Sequence, residues 1–231
     1  MKTKDPIYQG CVDLNAKQGN ASLGLSSSIS WNDDPKRMAF LFSRYKFVAK
    51  MLEGQDKVLE IGCGDAFASR VVMQHVNKLI ATDYDPVFIQ SANEIMSDPW
   101  AFECFVHDIL ISPVGKGTFD AAYSLDVLEH MPVEKEYNYF SNISSSLSRN
   151  GIFILGMPSL NSQKFASPRS KAGHINCKSS IDLKKLCGRF FNNTFSFSMN
   201  DEVVHTGFHE MANYLFVVCC GPKMGPNRDT L

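Results

Sequence analysis

An apolar run that ends in an acid and breaks into a Gly-x-Gly turn limits what this chain can fold into more than any other stretch. It reads Val58-Leu59-Glu60-Ile61-Gly62-Cys63-Gly64-Asp65-Ala66. Behind it, Phe67-Ala68-Ser69-Arg70-Val71-Val72-Met73 reads as the start of a helix reaching about residue 77. A strand, a turn of bare backbone and a helix N-terminus, in that order, expose amide groups to a small anionic or nucleoside ligand. The turn alone does not choose the ligand. The ends of the following strands must do so.

Those strands are read at 78–83, 101–108, 118–126 and 151–158, with helices starting at Asp85-Pro86 and spanning 133–148 between them. Strands alternating with helices at this spacing imply βαβ units and a parallel sheet covered on both faces. The end of the chain breaks the pattern. A helix at 181–190 is followed by two apolar runs, 193–199 and 214–220, with no helix between them. They predict a hairpin at the sheet edge with one antiparallel strand. Ahead of the glycine turn, Met38, Phe40, Leu41, Phe42, Tyr45, Val48, Ala49 and Leu52 recur at helical spacing over 35–52, with Asp34 as N-cap and Pro35 at the first position. Residues 20–30 read as a loop or arm. The expected organisation is an arm and cap helix over 1–55, an α/β domain over 56–222, and a tail over 223–231.

Length and composition fit one such domain: 231 residues, 44% hydrophobic and 20% charged. The net charge of −1 supplies no footprint for a nucleic-acid backbone or an anionic membrane, so a small-molecule substrate is expected. Seven cysteines without regular spacing argue against a disulfide scaffold or a thiolate zinc site and favour a reduced, cytoplasmic protein. The N-terminus has no apolar signal region. No run approaches the roughly 20 apolar residues that span a bilayer. A homodimer is left open.

Three successive strands end in acids: Glu60, Asp83 and Asp108. In an open parallel sheet they project toward the crevice beyond the strand ends. Asp83, 21 residues past Gly62, is placed for two ribose hydroxyls, and Asp108 for an exocyclic amine of adenine. A nicotinamide dinucleotide requires a third glycine where this chain has Phe67. Several acids suit a sulfonium cofactor without phosphate instead. At these residues the sequence resembles the class I S-adenosylmethionine-dependent methyltransferases, over about 55–160. The resemblance implies a Rossmann-like, seven-stranded, mostly parallel α/β sheet in the order 3-2-1-4-5-7-6. It assigns Glu60, Gly62, Cys63, Gly64, Asp83, Tyr84, Asp108, Ile109 and Leu125 to S-adenosylmethionine and its product S-adenosylhomocysteine. Ala66 stands where many members have glycine, and no loss of binding is expected from it.

Methyl transfer to a hydroxyl needs a positioned acceptor and a base, so histidines on loops after the fourth, fifth and sixth strands are the catalytic candidates. They are His130, His174 and His205. His205 is favoured for substrate contact, because the polar connection 200–209 is expected to arch over the crevice. Asp126-x-x-Glu129-His130 is similar to a motif of ubiquinone-biosynthesis O-methyltransferases, where these groups bind a divalent metal. Leu-Glu-His also follows this strand in metal-independent relatives, so the leading expectation is no metal, with Asp126, Glu129 and His130 as the ligands otherwise. The segment 158–180 reads as a long binding loop whose Lys164, Arg169 and Lys171 suit an anionic group, such as the diphosphate of a nucleotide sugar. O-methylation of a sugar or sugar nucleotide in surface-glycan biosynthesis is the leading reading. The alternatives are N-methylation of an amino sugar, O-methylation of a quinone or polyketide hydroxyl, and a non-catalytic cofactor-binding partner subunit.

Overall fold

The computed structural model of the chain describes residues 1–97 and 100–223. Of the expected tail, 224–231 therefore lies outside the described residues.

Five strands run parallel: β1 (Lys57–Ile61), β2 (Lys78–Asp83), β3 (Glu103–Val106), β4 (Phe119–Leu125) and β5 (Leu147–Pro158). β6 (Phe191–Asn200), β7 (Val203–His205) and β8 (Tyr214–Pro222) complete a sheet in the order β3-β2-β1-β4-β5-β8-β6-β7. β8 is antiparallel to both β5 and β6. The sheet has eight strands rather than the seven expected. Without the three residues of β7, the order is the expected one.

The inner strands are buried on both faces, and in β1 every residue after Lys57 is buried, Glu60 included. Leu59 and Ile61 point into a cluster with Phe140 of α6 (Glu136–Ser146), Leu183 and Phe190 of α8 (Ser180–Phe190), and Phe153. Val58 points the other way. It packs with Tyr45, Val48 and Leu52, the first two on α3 (Lys36–Met51), and with Val72 of α4 (Ser69–Met73). α4 is shorter than its sequence suggests. The amides of Gly54 and Asn77 bond to His75 and Gln55, which ends the helix and leads the chain into β2 beside β1.

Residues 20–30 are not the loop that their composition suggests. α1 (Gln9–Gln18) and α2 (Leu25–Asp33) precede α3, and α2 lies against the domain. Its first turn has no cap of its own. The amide and hydroxyl of Ser27 instead donate to Asp65 Oδ2 at 2.7 and 2.8 Å, and the amide of Leu25 donates to Ser91 Oγ at 2.9 Å. Helix donors that would otherwise lack partners are thus satisfied by residues far away in sequence. Gly24 has to be glycine here, since a Cβ would stand 2.5 Å from that of Asp65.

The segment 158–180 also holds more structure than expected. A 3-10 turn (Leu160–Phe165) starts at Ser159, and α7 (Pro168–Gly173) starts at Ser167-Pro168. Both serine hydroxyls accept amide hydrogen bonds within the turn that follows. Ser-Pro is a start signal with a mechanism, since the serine caps and proline fixes the first φ. After this come α8 and the edge strands. α5 (Pro86–Ile95) follows β2 and is capped by Asp85 as its sequence suggests. No helix among the described residues is long and apolar enough to cross a membrane.

The link between Asp65 and α2 is open to direct measurement. Asp65→Ala leaves the buried Ser27 amide without its acceptor and the hydroxyl with only the Gly24 carbonyl at 3.3 Å, and is expected to lower unfolding free energy by about 1–3 kcal/mol. Denaturant titration reads the loss, and hydrogen exchange should place the opened amides in α2.

Candidate active site

The ends of β1, β2 and β4 lie side by side, and the glycine turn closes over them. The amides of Gly62 and Cys63 both donate to the Thr82 carbonyl, at 2.8 and 3.0 Å, so the turn is tied to the end of β2. Gly62 has φ +74°, and a Cβ there would stand 2.3 Å from Cγ2 of Val127. No other residue fits. Gly64, at φ +55°, is roomier, with only Ser26 Oγ at 3.7 Å. Ala66 adopts φ +52°, a left-handed conformation that alanine occupies only at a cost.

Asp83 is buried under this turn. Its Oδ2 accepts from the Gly64 amide and its Oδ1 from the Asp85 amide, both at 3.0 Å. At the end of the adjacent strand the half-buried Asp108 accepts from the Leu110 amide at 2.8 Å, beside the buried Ile109. Cys63 is buried, and its contact with Cys104 together with burial pushes the thiol pKa far up, so it is an inert wall. Leu125 is buried at the end of β4, and Tyr84 stands exposed after β2.

Glu60 does not join the other two acids. It shares the face of Val58, beneath the cap helix, and is 1% exposed. Tyr45 donates to Oε1 at 2.7 Å and Tyr123 to Oε2 at 2.8 Å. Burial raises the pKa of Glu60, and those hydroxyl bonds oppose the rise. Its observed contacts hold the fold, and the expectation that all three acids face one crevice is corrected to two. Depth is the physical reason: Glu60 pairs with Ala81, two residues inside the end of β2 where Asp83 stands.

On the β4 side, Asp126 takes a left-handed backbone at φ +58° and turns to Arg44 of α3. Nη1 of Arg44 lies 2.8 and 3.1 Å from the two carboxylate oxygens, and the guanidinium stacks 4.0 Å over the ring of Tyr214. Burial opposes the charge of Arg44, but Asp126, Tyr214 and Glu129 together outweigh it and hold the pKa above its usual range. Arg44 lies between the apolar positions of α3, a basic helix whose Arg37, Arg44 and Lys46 the sequence offers as a wall of the substrate space.

Beyond Asp126, Leu128–His130 forms a 3-10 turn. Glu129 is fully buried, and neither of its oxygens has a hydrogen-bond partner. Burial, then the charge of Asp126, pushes its pKa well above the carboxylate range. His130 is exposed, with Nδ1 2.9 Å from the Gly173 carbonyl and Nε2 4.0 Å from Glu129 Oε1. His174, at the end of α7, places its ring 5.2 Å from that of His130, with Nδ1 2.9 Å from Gln163 Oε1. Burial, then His130, lowers the pKa of His174. Asp126, Glu129 and His130 do not fit a metal as a set, because Arg44 occupies Asp126.

His205 is not with them. It lies on β7, the outermost strand, with Nε2 2.9 Å from Asn200 Oδ1 and Nδ1 accepting from the Gly207 amide at 3.0 Å. The connection expected to arch over the crevice instead folds into a hairpin, Asn200 pairing with Val203 around Asp201 at φ +49°. Asn200-Asp201 was the available signal, since these residues tolerate left-handed turns.

Residues 59–155 match the family model described as a methyltransferase domain. None of the curated proteins matches the sequence. Among solved structures, a chain of the complex between the Haloferax volcanii Trm112 methyltransferase activator and a methyltransferase superposes with a TM-score of 0.67 at 14% identity, covering 87% of this chain and 97% of that one. The TehB-like methyltransferase of Corynebacterium glutamicum gives 0.59 at 16% identity, covering 94% and 96%. The N-methyltransferase NodS of Bradyrhizobium japonicum, bound to S-adenosyl-L-homocysteine, gives 0.60 at 15% identity, covering 84% and 91%.

The two glycines of the turn should respond differently to a methyl group. Gly62→Ala is expected to abolish S-adenosylhomocysteine binding by calorimetry and to lower the melting temperature. Gly64→Ala should cost about 1–2 kcal/mol of stability for its backbone and remain folded. Residues 59–155 of this chain are matched as a methyltransferase domain, and turn, acids and sheet order place that domain on the fold of the class I S-adenosylmethionine-dependent methyltransferases.

Proposed function

We propose that the protein transfers the methyl group to a hydroxyl of a small molecule, a sugar or sugar nucleotide of a surface-glycan pathway. The observation that carries the reading is the pair of imidazoles beyond the end of β4. In each ring Nδ1 faces a carbonyl oxygen, which can only accept, so Nδ1 carries the proton and Nε2 is the basic atom. A hydroxyl must lose its proton as its oxygen attacks the sulfonium methyl, and such a nitrogen is suited to receive it. The C–O bond forms as the C–S bond breaks, and the electron pair of the latter stays on sulfur. His130 is the more exposed ring and the better placed for an incoming acceptor. Lys164, Arg169 and Lys171 on the same segment supply cations for a diphosphate. Fused loops support the segment, with Asn161 Nδ2 donating to Glu210 Oε2 at 2.7 Å.

An amine acceptor, as on an amino sugar, is the second reading. It is favoured by the name of one structural neighbour, NodS, an N-methyltransferase.

The test is methyl incorporation from labelled S-adenosylmethionine into an extracted sugar-nucleotide pool. His130→Ala and His174→Ala should each lower kcat by about 10²–10⁴-fold while S-adenosylhomocysteine affinity is kept. Full turnover in both variants overturns the imidazole assignment. Label appearing only on amino sugars decides for nitrogen.

A further inference from the structure

The link between α1 and α2 bridges a cavity of about 480 Å³. Residues 18–22 roof it, and its walls come from the far end of the glycine turn, from α4 and from the last turn of α5. That volume lies within the range of small-molecule pockets. The cavity stands on the β2–β3 half of the sheet, where α5 packs, whereas the acceptor rim is built on β4, β5 and β8. None of the residues assigned to the cofactor lines it. α5 starts beside Asp83 and is ten residues long, so its last turn stands about 15 Å further along.

The roof is fixed at both ends. On one side the Gly19 amide donates to the Asn15 carbonyl at 2.8 Å, and the Asn15 side chain donates to Asn20. On the other, Leu25 and Ser27 are tied to Ser91 and Asp65. One wall is fixed as well. Nη2 of Arg70 donates to the Ser97 carbonyl at 2.9 Å and to the Ser97 hydroxyl, which leaves the donors on Nε and Nη1. Glu94 lines the same cavity, with Oε1 accepting from Gln90 at 2.9 Å. Among the described residues neither charge has an ion-pair partner, and the two do not pair with each other. Two aromatic rings, Phe67 and the 41% exposed Trp100, complete the lining.

A guanidinium with spare donors, a carboxylate with spare acceptors and two rings are complementary to a flat heterocycle that carries both kinds of edge. We propose that this cavity is a second ligand site, for a purine nucleoside or nucleotide held by its base, with guanine the best match. Guanine turns O6 and N7 to the arginine donors and its amine to the carboxylate, while Phe67 and Trp100 offer faces for stacking. Adenine has an amine where guanine has O6, so it meets the guanidinium with a donor. The occupied cavity bears on the cofactor side through Ala66, which lines it and belongs to the glycine turn at φ +52°. The ligand is thus an effector of donor binding, and by linkage the donor changes the ligand's affinity by the same factor. None of this depends on which acceptor receives the methyl group.

Trp31→Phe protein keeps Trp100 as its one tryptophan. Saturated with S-adenosylhomocysteine, which fills the cofactor cleft, it should still show saturable quenching by guanosine, with one equivalent bound by calorimetry. Arg70→Gln should weaken that binding by about 5–150-fold. Ala21→Phe, a substitution on the exposed roof that fills the cavity, should abolish it with the melting temperature unchanged. Guanosine affinity should differ by about 5-fold or more between protein with and without S-adenosylhomocysteine. Four outcomes overturn the site: no saturable quenching, complete exclusion of guanosine by S-adenosylhomocysteine, unchanged affinity in Ala21→Phe, or uridine binding as tightly as guanosine. Equal guanosine affinity in the two states overturns the effector role. The Ala21 variant keeps the test decisive if Arg70→Gln disturbs the end of α5.

Discussion

A carboxylate removed from water and held between two tyrosine hydroxyls is the interaction on which the rest of this protein depends. Glu60 costs free energy to bury, and Tyr45 and Tyr123 offset that cost with hydrogen bonds at 2.7 and 2.8 Å. The two rings also meet edge to face, at 6.0 Å and 87°. Because Tyr45 belongs to α3 and Tyr123 to β4, one side chain on β1 fastens the cap helix across two strands. The position of α3 then follows, and with it the position of Arg44, the residue before Tyr45. Arg44 in turn holds Asp126, at the end of β4, in a left-handed conformation. A packing constraint on one face of the sheet is thereby passed to the rim of the crevice.

The N-terminal arm depends on the core for its structure. α2 has a serine-rich sequence and its starting glycine supplies no side-chain cap. Asp65 supplies it, from the same turn that carries Gly62 and Gly64, and its Oδ1 also accepts from the amide of Phe67 at 3.2 Å. One aspartate therefore orders both the helix above the turn and the backbone within it. Ligand chemistry and arm docking share a few residues.

The sequence was most readable where a local pattern alone decides the outcome. Continuous apolar runs located β1, β2, β4, β5 and β8, and Asp85-Pro86 located the start of α5, because burial and capping are properties of a few neighbouring residues. It was least readable where a distant partner decides. Ser27 is helical because Asp65 is near, and 203–205 is a strand because Phe191–Asn200 offers an open edge. The histidines divide in the same way. His130 and His174 are 44 positions apart, and only the fastening of Asn176 and Lys178 to Glu136 brings their rings together. His205 had the more inviting loop by composition, but the hairpin took it to the far edge. Glu60 was legible in hindsight, since a period of two places it with Val58 on the face that α3 covers.

The antiparallel direction of β8 has a consequence for how this rim comes into being. Parallel strands deliver their last residues to the crevice, but β8 delivers its first, so Tyr214 stands opposite the end of β5, paired with Pro158. Its ring supports the guanidinium that holds Asp126. The three partners come from the beginning, the middle and the end of the chain, at positions 44, 126 and 214. During synthesis the glycine turn and both of its acids can form early, whereas the acceptor side has no lasting shape until the final strand inserts between β5 and β6.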